Sequence, residues 1–155
     1  MFSTQISAIC QSLPTSHIFI YGTANEVNNK ADKQDSPDDL YICLFPLSPI
    51  TIELVKAGGA ANEFDMYIEF LYKTKFERTS ADNEQLTANA LYFANLFLVK
   101  LREYVQYDGQ PKFFKWKDSD RATARPVYNK YDVNTAGISL SFKARLMSPP
   151  MGAIC

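Results

Sequence analysis

The most regular pattern in the chain is an alternation of apolar and polar residues between Phe64 and Glu77. The even-numbered positions from Phe64 to Tyr72, and also Phe76, are apolar, whereas most of the odd-numbered positions carry charge. A period of two places successive side chains on opposite faces of a strand. We therefore predict a half-buried β-strand over this segment.

A helical pattern follows directly, from Asp82 to Tyr104. Apolar side chains recur three or four residues apart along two neighbouring rows, which is the spacing of a wide apolar helix face. The rows are Leu86, Ala90, Phe93, Phe97 and Leu101, and Leu91, Ala94, Leu98, Leu101 and Val105. Asp82, three residues before Gln85, is predicted to cap this helix, and Asp108-Gly109 is predicted to end it. A face this wide has to pack against a sheet or another helix.

Shorter patterns on either side complete a predicted α+β fold. Apolar residues from Phe2 to Leu13 have helical spacing, and Pro14 ends this short helix. Apolar runs predict strands at His17–Val27, Leu40–Phe45, residues 50–55, Lys112–Lys117, Arg125–Tyr131 and Ala136–Met147. This order predicts a mostly antiparallel β-sheet packed against one long and one short α-helix, with extended hairpin loops.

Two polar segments are predicted to be exposed loops between these elements. The segment from Asn28 to Asp39 contains no large apolar residue, so it is predicted to form an exposed loop or hairpin tip. The segment from Asp118 to Ala124 is predicted to be a hairpin turn or a wide loop. Residues 1–147 then form a single α+β domain, and residues 148–155, which contain proline and glycine, are predicted to be a loose tail.

Composition indicates a folded protein with no general attraction to anionic partners. Of 155 residues, 46% are hydrophobic and 21% are charged, and the formal net charge is −1, so neither nucleic acid nor a membrane surface is favoured overall. Neither a secretion signal nor a membrane-spanning run is predicted. The three cysteines share no CxxC spacing, which predicts reduced thiols in a cytoplasmic setting rather than disulfides or a zinc site.

The sequence contains no set of residues typical of a catalytic or metal centre. His17 is the only histidine, which excludes catalytic triads and multi-histidine metal sites. The acidic tract between Asp32 and Asp39 lacks the glycine and the closing glutamate of a calcium-binding loop, so we interpret it as solvated. Gly58-Gly59 matches no phosphate-binding motif and is predicted to be a turn. We predict no cofactor, no metal and no enzymatic activity.

Two alternatives to a purely structural protein stay open. Lysines alternate with aromatic residues in Lys112–Lys117, a pattern that also occurs in single-strand nucleic-acid-binding surfaces. We favour an amphipathic strand with Phe114 and Trp116 facing inward, because the net charge is slightly acidic. A small-molecule binder or an unfamiliar enzyme, with its site between helix and sheet, is the other alternative. Tyr67 and Leu71, on the polar side of the long strand, are candidates for a partner interface.

The element order and the C-terminal half together resemble a known family. The segment LTANALYFANLFLVKLREY is followed by FFKWK and by RPVYNKYDVNTAGISLSFKARL. This arrangement resembles the tail-terminator (tail-completion) and neck ring proteins of tailed bacteriophages, over roughly Phe2 to Met147. The resemblance implies a structural virion protein that assembles in the host cytoplasm into a homo-oligomeric ring, six-fold or twelve-fold, at the head–tail junction. Neighbouring neck or tail-tube proteins would be its partners, and DNA would pass through the ring without sequence readout.

The same resemblance indicates which residues would contact adjacent subunits or rings. The two polar segments would become ordered on assembly, and large tyrosines near the last strands would join the interface. The candidate interface residues are Asn28, Lys30, Asp32, Lys33, Asp35, Asp118, Asp120, Arg121, Tyr128 and Tyr131.

Overall fold

A computed structural model describes residues 2–33, 38–46, 50–54, 60–74, 79–106, 114–116, 121–129 and 134–148. The helices in these ranges are α1 (Phe2–Gln11), α2 (Ala24–Lys33) and α3 (Ser80–Gln106). The strands are β1 (His17–Tyr21), β2 (Leu40–Leu44), β3 (Ile50–Leu54), β4 (Ala60–Lys73), β5 (Phe114–Trp116), β6 (Thr123–Tyr128) and β7 (Thr135–Ser148). The fold class is α+β, as predicted.

The seven strands form one mixed sheet whose main path is β1-β2-β4-β7-β5. β4 and β7 pair along their whole lengths and form the centre of the sheet. β2 and β3 both pair with the other edge of β4, and β5 and β6 both pair with the far edge of β7. The prediction of a mostly antiparallel sheet holds for every described pair except β1 with β2, which is parallel. The reason is that α2 lies between these two strands in the chain, and a helical crossover returns the chain in the same direction.

One face of the sheet, called here the α3 face, packs against α1 and α3. The even-numbered residues of β4 lie on this face, where Met66, Ile68 and Phe70 are fully buried. Phe97 and Leu101 of α3 are fully buried against them, and the Phe70 and Phe97 ring centroids are 5.7 Å apart. The predicted long strand and long helix are therefore both present and pack together, with bounds shifted by a few residues.

The opposite face, called here the α2 face, is partly covered by a helix that the sequence analysis did not predict. The predicted strand His17–Val27 ends at Tyr21, and α2 occupies the end of that predicted strand and the first half of the segment predicted to be an exposed loop. Val27 and Ala31, one helical turn apart, are buried in a cluster of apolar residues from β1, β2 and β4. Val27 and Ala31 are the buried residues of this short helix, whereas most of its other residues are exposed. Residues 34–37 of the predicted loop lie outside the described residues.

The helices α2 and α3 begin with the same type of capping box. The backbone N–H of Thr23 donates to Glu26 Oε2 over 2.7 Å, and the Glu26 N–H faces Thr23 Oγ1 at 3.5 Å. Thr79 and Asp82 repeat this exchange at the start of α3, with distances of 3.0 and 3.3 Å. The prediction that Asp82 itself is the cap was wrong: Thr79 is the cap, and Asp82 is its reciprocal partner three residues later.

The capping box of α2 gives a measurable prediction. Thr23→Ala is expected to lower the free energy of unfolding by about 1 kcal/mol at pH 7, because it leaves backbone donors of the first turn without the hydroxyl acceptor. The hydrogen bonds from Thr23 also lower the pKa of Glu26 below its ordinary 4.5. These hydrogen bonds to the ionised Glu26 carboxylate therefore contribute fully to stability above pH 4.5. Their contribution is lost as the pH falls through the lowered pKa.

Urea denaturation followed by circular dichroism, at pH 7 and at pH 3, measures this effect. Asn29→Ala, at an exposed position of the same helix, serves as the control and should change stability by less than about 0.5 kcal/mol. Equal effects of the two substitutions at pH 7 would contradict the capping role of Thr23.

Candidate subunit interface

The structure places most of the described candidate interface residues on a helix rather than on a loop. Asn28 is half-buried on α2, and Lys30, Asp32 and Lys33 are exposed on it. All four residues belong to the helix that packs on the α2 face of the sheet. Four further candidates lie outside the described residues, namely Asp35, Asp118, Asp120 and Tyr131.

Arg121 lies on the part of the α2 face that α2 leaves open. It lines a cavity of about 440 Å³ together with side chains from β4, β6 and β7. The lining residues are Asp65, Arg121, Thr123, Ser141, Phe142 and Lys143. Lys143 also lies 3.7 Å from a carboxylate oxygen of Glu63. The described lining of this opening therefore contains both acidic and basic groups.

Tyr128 lies near the start of α3, away from the residues of α2. Its side chain is 51% exposed, and the Thr87 hydroxyl approaches its hydroxyl oxygen at 3.5 Å. Ser80, Asn83 and Tyr128 line a smaller cavity of about 320 Å³. The candidate residues are thus spread over separate parts of the surface, and the structure does not bring them together into one site.

An exposed apolar surface on α3 was not recognised in the sequence analysis. No charged residue occurs between Glu84 and Lys100, so the solvent side of the helix carries no charge there either. The outer α3 stripe, as we call it, consists of the exposed residues Ala88, Leu91, Tyr92, Asn95 and Val99. Tyr92 is 60% exposed and Val99 is 52% exposed. Large apolar side chains grouped on an exposed surface in this way often mark a contact with another protein.

From the periodicity of the sequence, part of this stripe was predicted to be buried in the core. Leu91 belongs to the second predicted apolar row, but it is 38% exposed. Ala94, in the same row, is fully buried. The two rows together are wider than the surface that the sheet covers. The uncharged run from Gln85 to Val99 is the sequence signal that identifies the outer side as well.

A second exposed apolar surface lies at the end of the sheet. The hairpin arm, as we call it, consists of β3 and the paired residues Ala60–Phe64 of β4. Ile52 is 70% exposed and Leu54 is 85% exposed. Ile52 is in register with Asn62, so both side chains point to the α3 face. Ile52 and Leu54 are therefore exposed on the face of the sheet that α1 and α3 cover elsewhere.

The described strand edges differ in how they are protected against pairing with another chain. β6, beyond β7, contains Arg125 and Pro126, which are typical of a blocked edge. β1 reads HIFIY and has no lysine or proline, and β3 has only Glu53 as a charged residue. β1 and β3 lie on the same side of the sheet, beyond β4. β1 and β3 therefore carry fewer of these protective residues than β6 does.

Tyr67 and Leu71 do not form the exposed pair that was predicted. Leu71 is 2% exposed because it belongs to the cluster under α2. Tyr67 is half-buried, packs edge-on against Phe45 with ring centroids 5.2 Å apart, and donates its hydroxyl to Glu69 Oε1 over 3.1 Å. The alternation was correct, but α2 covers part of the face that was assigned to solvent.

The described residues do not converge on a reactive centre. Within the described ranges, no group of three or more histidine, cysteine, aspartate or glutamate side chains could hold a metal ion. Burial raises the pKa of the Cys10 thiol to about 12, so this cysteine stays neutral. His17 Nδ1 lies 3.2 Å from the backbone oxygen of Thr15, at the start of β1. Among the described helices, none is long and apolar enough to cross a lipid bilayer.

A scan against models of protein families and a search of curated protein sequences both gave no match.

Proposed function

We propose that the chain is a structural virion subunit that forms a homo-oligomeric ring at the head–tail junction of a tailed bacteriophage. The observation that carries the assembly part of this proposal is the outer α3 stripe. Exposing Tyr92, Val99 and Leu91 side by side costs free energy in water, roughly 25 cal/mol for each Å² of apolar surface. Contact with another protein surface removes that cost, and a second copy is the partner that is always available.

The position at the head–tail junction is supported by the order of the elements. A short first helix, strands, a long strand leading into a long helix, and closing strands are all present, in the order that resembles tail-terminator and neck ring proteins. α2 is an addition to the order inferred from the sequence. Neighbouring neck or tail-tube proteins are the proposed axial partners, and DNA passes through the ring without contacts that depend on its sequence.

Mass measurement and imaging of the purified full-length protein test this proposal. Light scattering coupled to size exclusion is expected to give a discrete multiple of 17.6 kDa, and negative-stain electron microscopy should show closed rings of six or twelve subunits. Labelling of phage particles with an antibody against the chain should mark the neck. A protein that stays monomeric over the whole accessible concentration range, and that is absent from particles, would overturn the proposal.

The alternative function is binding of single-stranded nucleic acid through Lys112–Lys117, and a separate binding experiment tests it. β5 pairs with β7 at one edge of the sheet, and the side chains of residues 112–117 lie outside the described residues. The register places Asp65 opposite Lys143 and Glu63 opposite Arg145, so each basic residue of β7 has an acidic neighbour. Salt-dependent binding of single-stranded DNA that is lost in Trp116→Ala would support the alternative.

A further inference from the structure

We propose that the hairpin arm of one subunit packs, through Ile52 and Leu54, on the outer α3 stripe of the next subunit. This inference rests on the proposed homo-oligomer and specifies its contact. Both surfaces belong to the described part of the chain, in which Ile52 and Leu54 of the arm and Tyr92 and Val99 of the stripe are all more than half exposed.

The hairpin arm is an incomplete part of the packed structure. Its apolar side chains point to the α3 face, the same side on which Met66 and Ile68 pack against helices. Leu54 is nevertheless 85% exposed, because the helices of its own subunit cover only the remainder of the sheet. A helix can therefore pack on the apolar side of the arm, and no described helix of the same chain packs there.

The outer α3 stripe resembles the apolar side of the arm in carrying no charged residue. It is the uncharged side of a helix, with Tyr92 and Val99 two turns apart along one line. The α3-facing row of the arm, Ile52, Leu54 and Asn62, is also uncharged. Contact between the two surfaces therefore buries apolar area without removing any charged group from water, which would be costly. The described exposed faces of α2, in contrast, carry Lys30, Asp32 and Lys33.

The two surfaces are different, which determines the kind of assembly. Each subunit contributes an arm to one neighbour and receives an arm from the other, so the contact is head-to-tail rather than two-fold. Repeating such a contact produces a ring if the rotation closes and a filament if it does not. The contact therefore provides the geometry that a ring requires, whereas a stripe-to-stripe contact would stop at a dimer.

A complementation experiment tests the head-to-tail contact. Leu54→Glu disables the arm, and Tyr92→Glu disables the stripe. Each variant alone is expected to be monomeric, because every contact in it lacks one intact partner. An equimolar mixture is expected to form a heterodimer of twice the monomer mass and nothing larger, since the arm of the Tyr92→Glu chain can contact the stripe of the Leu54→Glu chain. Light scattering coupled to size exclusion gives these masses.

Two variants control for the added charge. Thr51→Glu adds a carboxylate to an exposed position of β3, on the other side of the strand, and Gln85→Glu adds one to α3 a turn before the stripe. Both are expected to assemble as the native chain does. Circular dichroism verifies that all four variants fold, which is expected because every substituted side chain is exposed.

The outcomes separate this inference from the proposed function. If the native chain assembles and either Leu54→Glu or Tyr92→Glu assembles equally well, the contact is wrong and the ring proposal stands. Variants that each still dimerise, one through its intact stripe and the other through its intact arm, would show that each surface contacts its own copy. Two monomeric variants whose mixture gives no heterodimer would show that arm and stripe do not bind each other, and either result overturns the contact. A native chain that is monomeric throughout would overturn the ring and the contact together.

Discussion

Phe97→Ala is expected to lower the free energy of unfolding by about 3–5 kcal/mol, the usual cost of truncating a fully buried phenylalanine. Phe97 has no exposed surface and packs against the Phe70 ring, at a centroid distance of 5.7 Å. Its neighbours belong to two long, regular elements, so they cannot collapse into the space that the ring leaves. The loss would consume a large part of the 5–15 kcal/mol that is typical of a domain.

Chemical denaturation of the purified variant measures this loss. Arg102→Ala is the control, because Arg102 is exposed on the same helix and lies outside the outer α3 stripe. It should cost less than about 1 kcal/mol. A loss below about 1 kcal/mol for Phe97→Ala would contradict the packing of α3 on the sheet.

Gly137→Ala is expected to be similarly severe, at about 3 kcal/mol or more. Gly137 lies in β7 opposite Leu71, at the centre of the sheet. A β-carbon at this position would overlap the carbonyl oxygen of Phe70 and lie 2.9 Å from the Leu71 α-carbon. Both are backbone atoms of the paired strand, so neither can rotate away, and β4 and β7 would have to separate.

The yield of soluble protein and the midpoint of urea unfolding report this effect. Lys143→Ala, at an exposed position of the same strand, removes only the 3.7 Å ion pair with Glu63. It is expected to cost less than about 1 kcal/mol. Stability of Gly137→Ala equal to that of Lys143→Ala would show that the two strands do not approach each other so closely at Gly137.

The long elements were predictable because their signals are local and repeated. In β4, alternation continues over many residues, and in α3 the apolar spacing continues over several turns, so single exceptions do not hide the period. The predicted strand 64–77 and helix 82–104 correspond to Ala60–Lys73 and Ser80–Gln106. Their ends were less accurate, since a cap such as Thr79 depends on one pair of side chains.

The helix α2 was missed because its signals are weak individually. Its apolar contribution consists of Val27 and Ala31, which do not stand out in a polar segment. Thr23 and Glu26 form a recognisable capping box, and Lys30 follows Glu26 at helical spacing. Together these features predict a helix, and with it the parallel pairing of β1 with β2. Asn28, Lys30, Asp32 and Lys33 were therefore assigned to a loop although they lie on a helix.

The sequence by itself determined that a long amphipathic strand is followed by a long helix, and that this helix is uncharged between Glu84 and Lys100. Only the tertiary structure decided which side of the helix stays exposed, and that Ile52 and Leu54 extend beyond the helical layer. The physical reason is that periodicity depends on neighbours in the chain, whereas exposure depends on how much surface distant elements cover. The sheet covers one side of α3 and leaves the outer α3 stripe exposed.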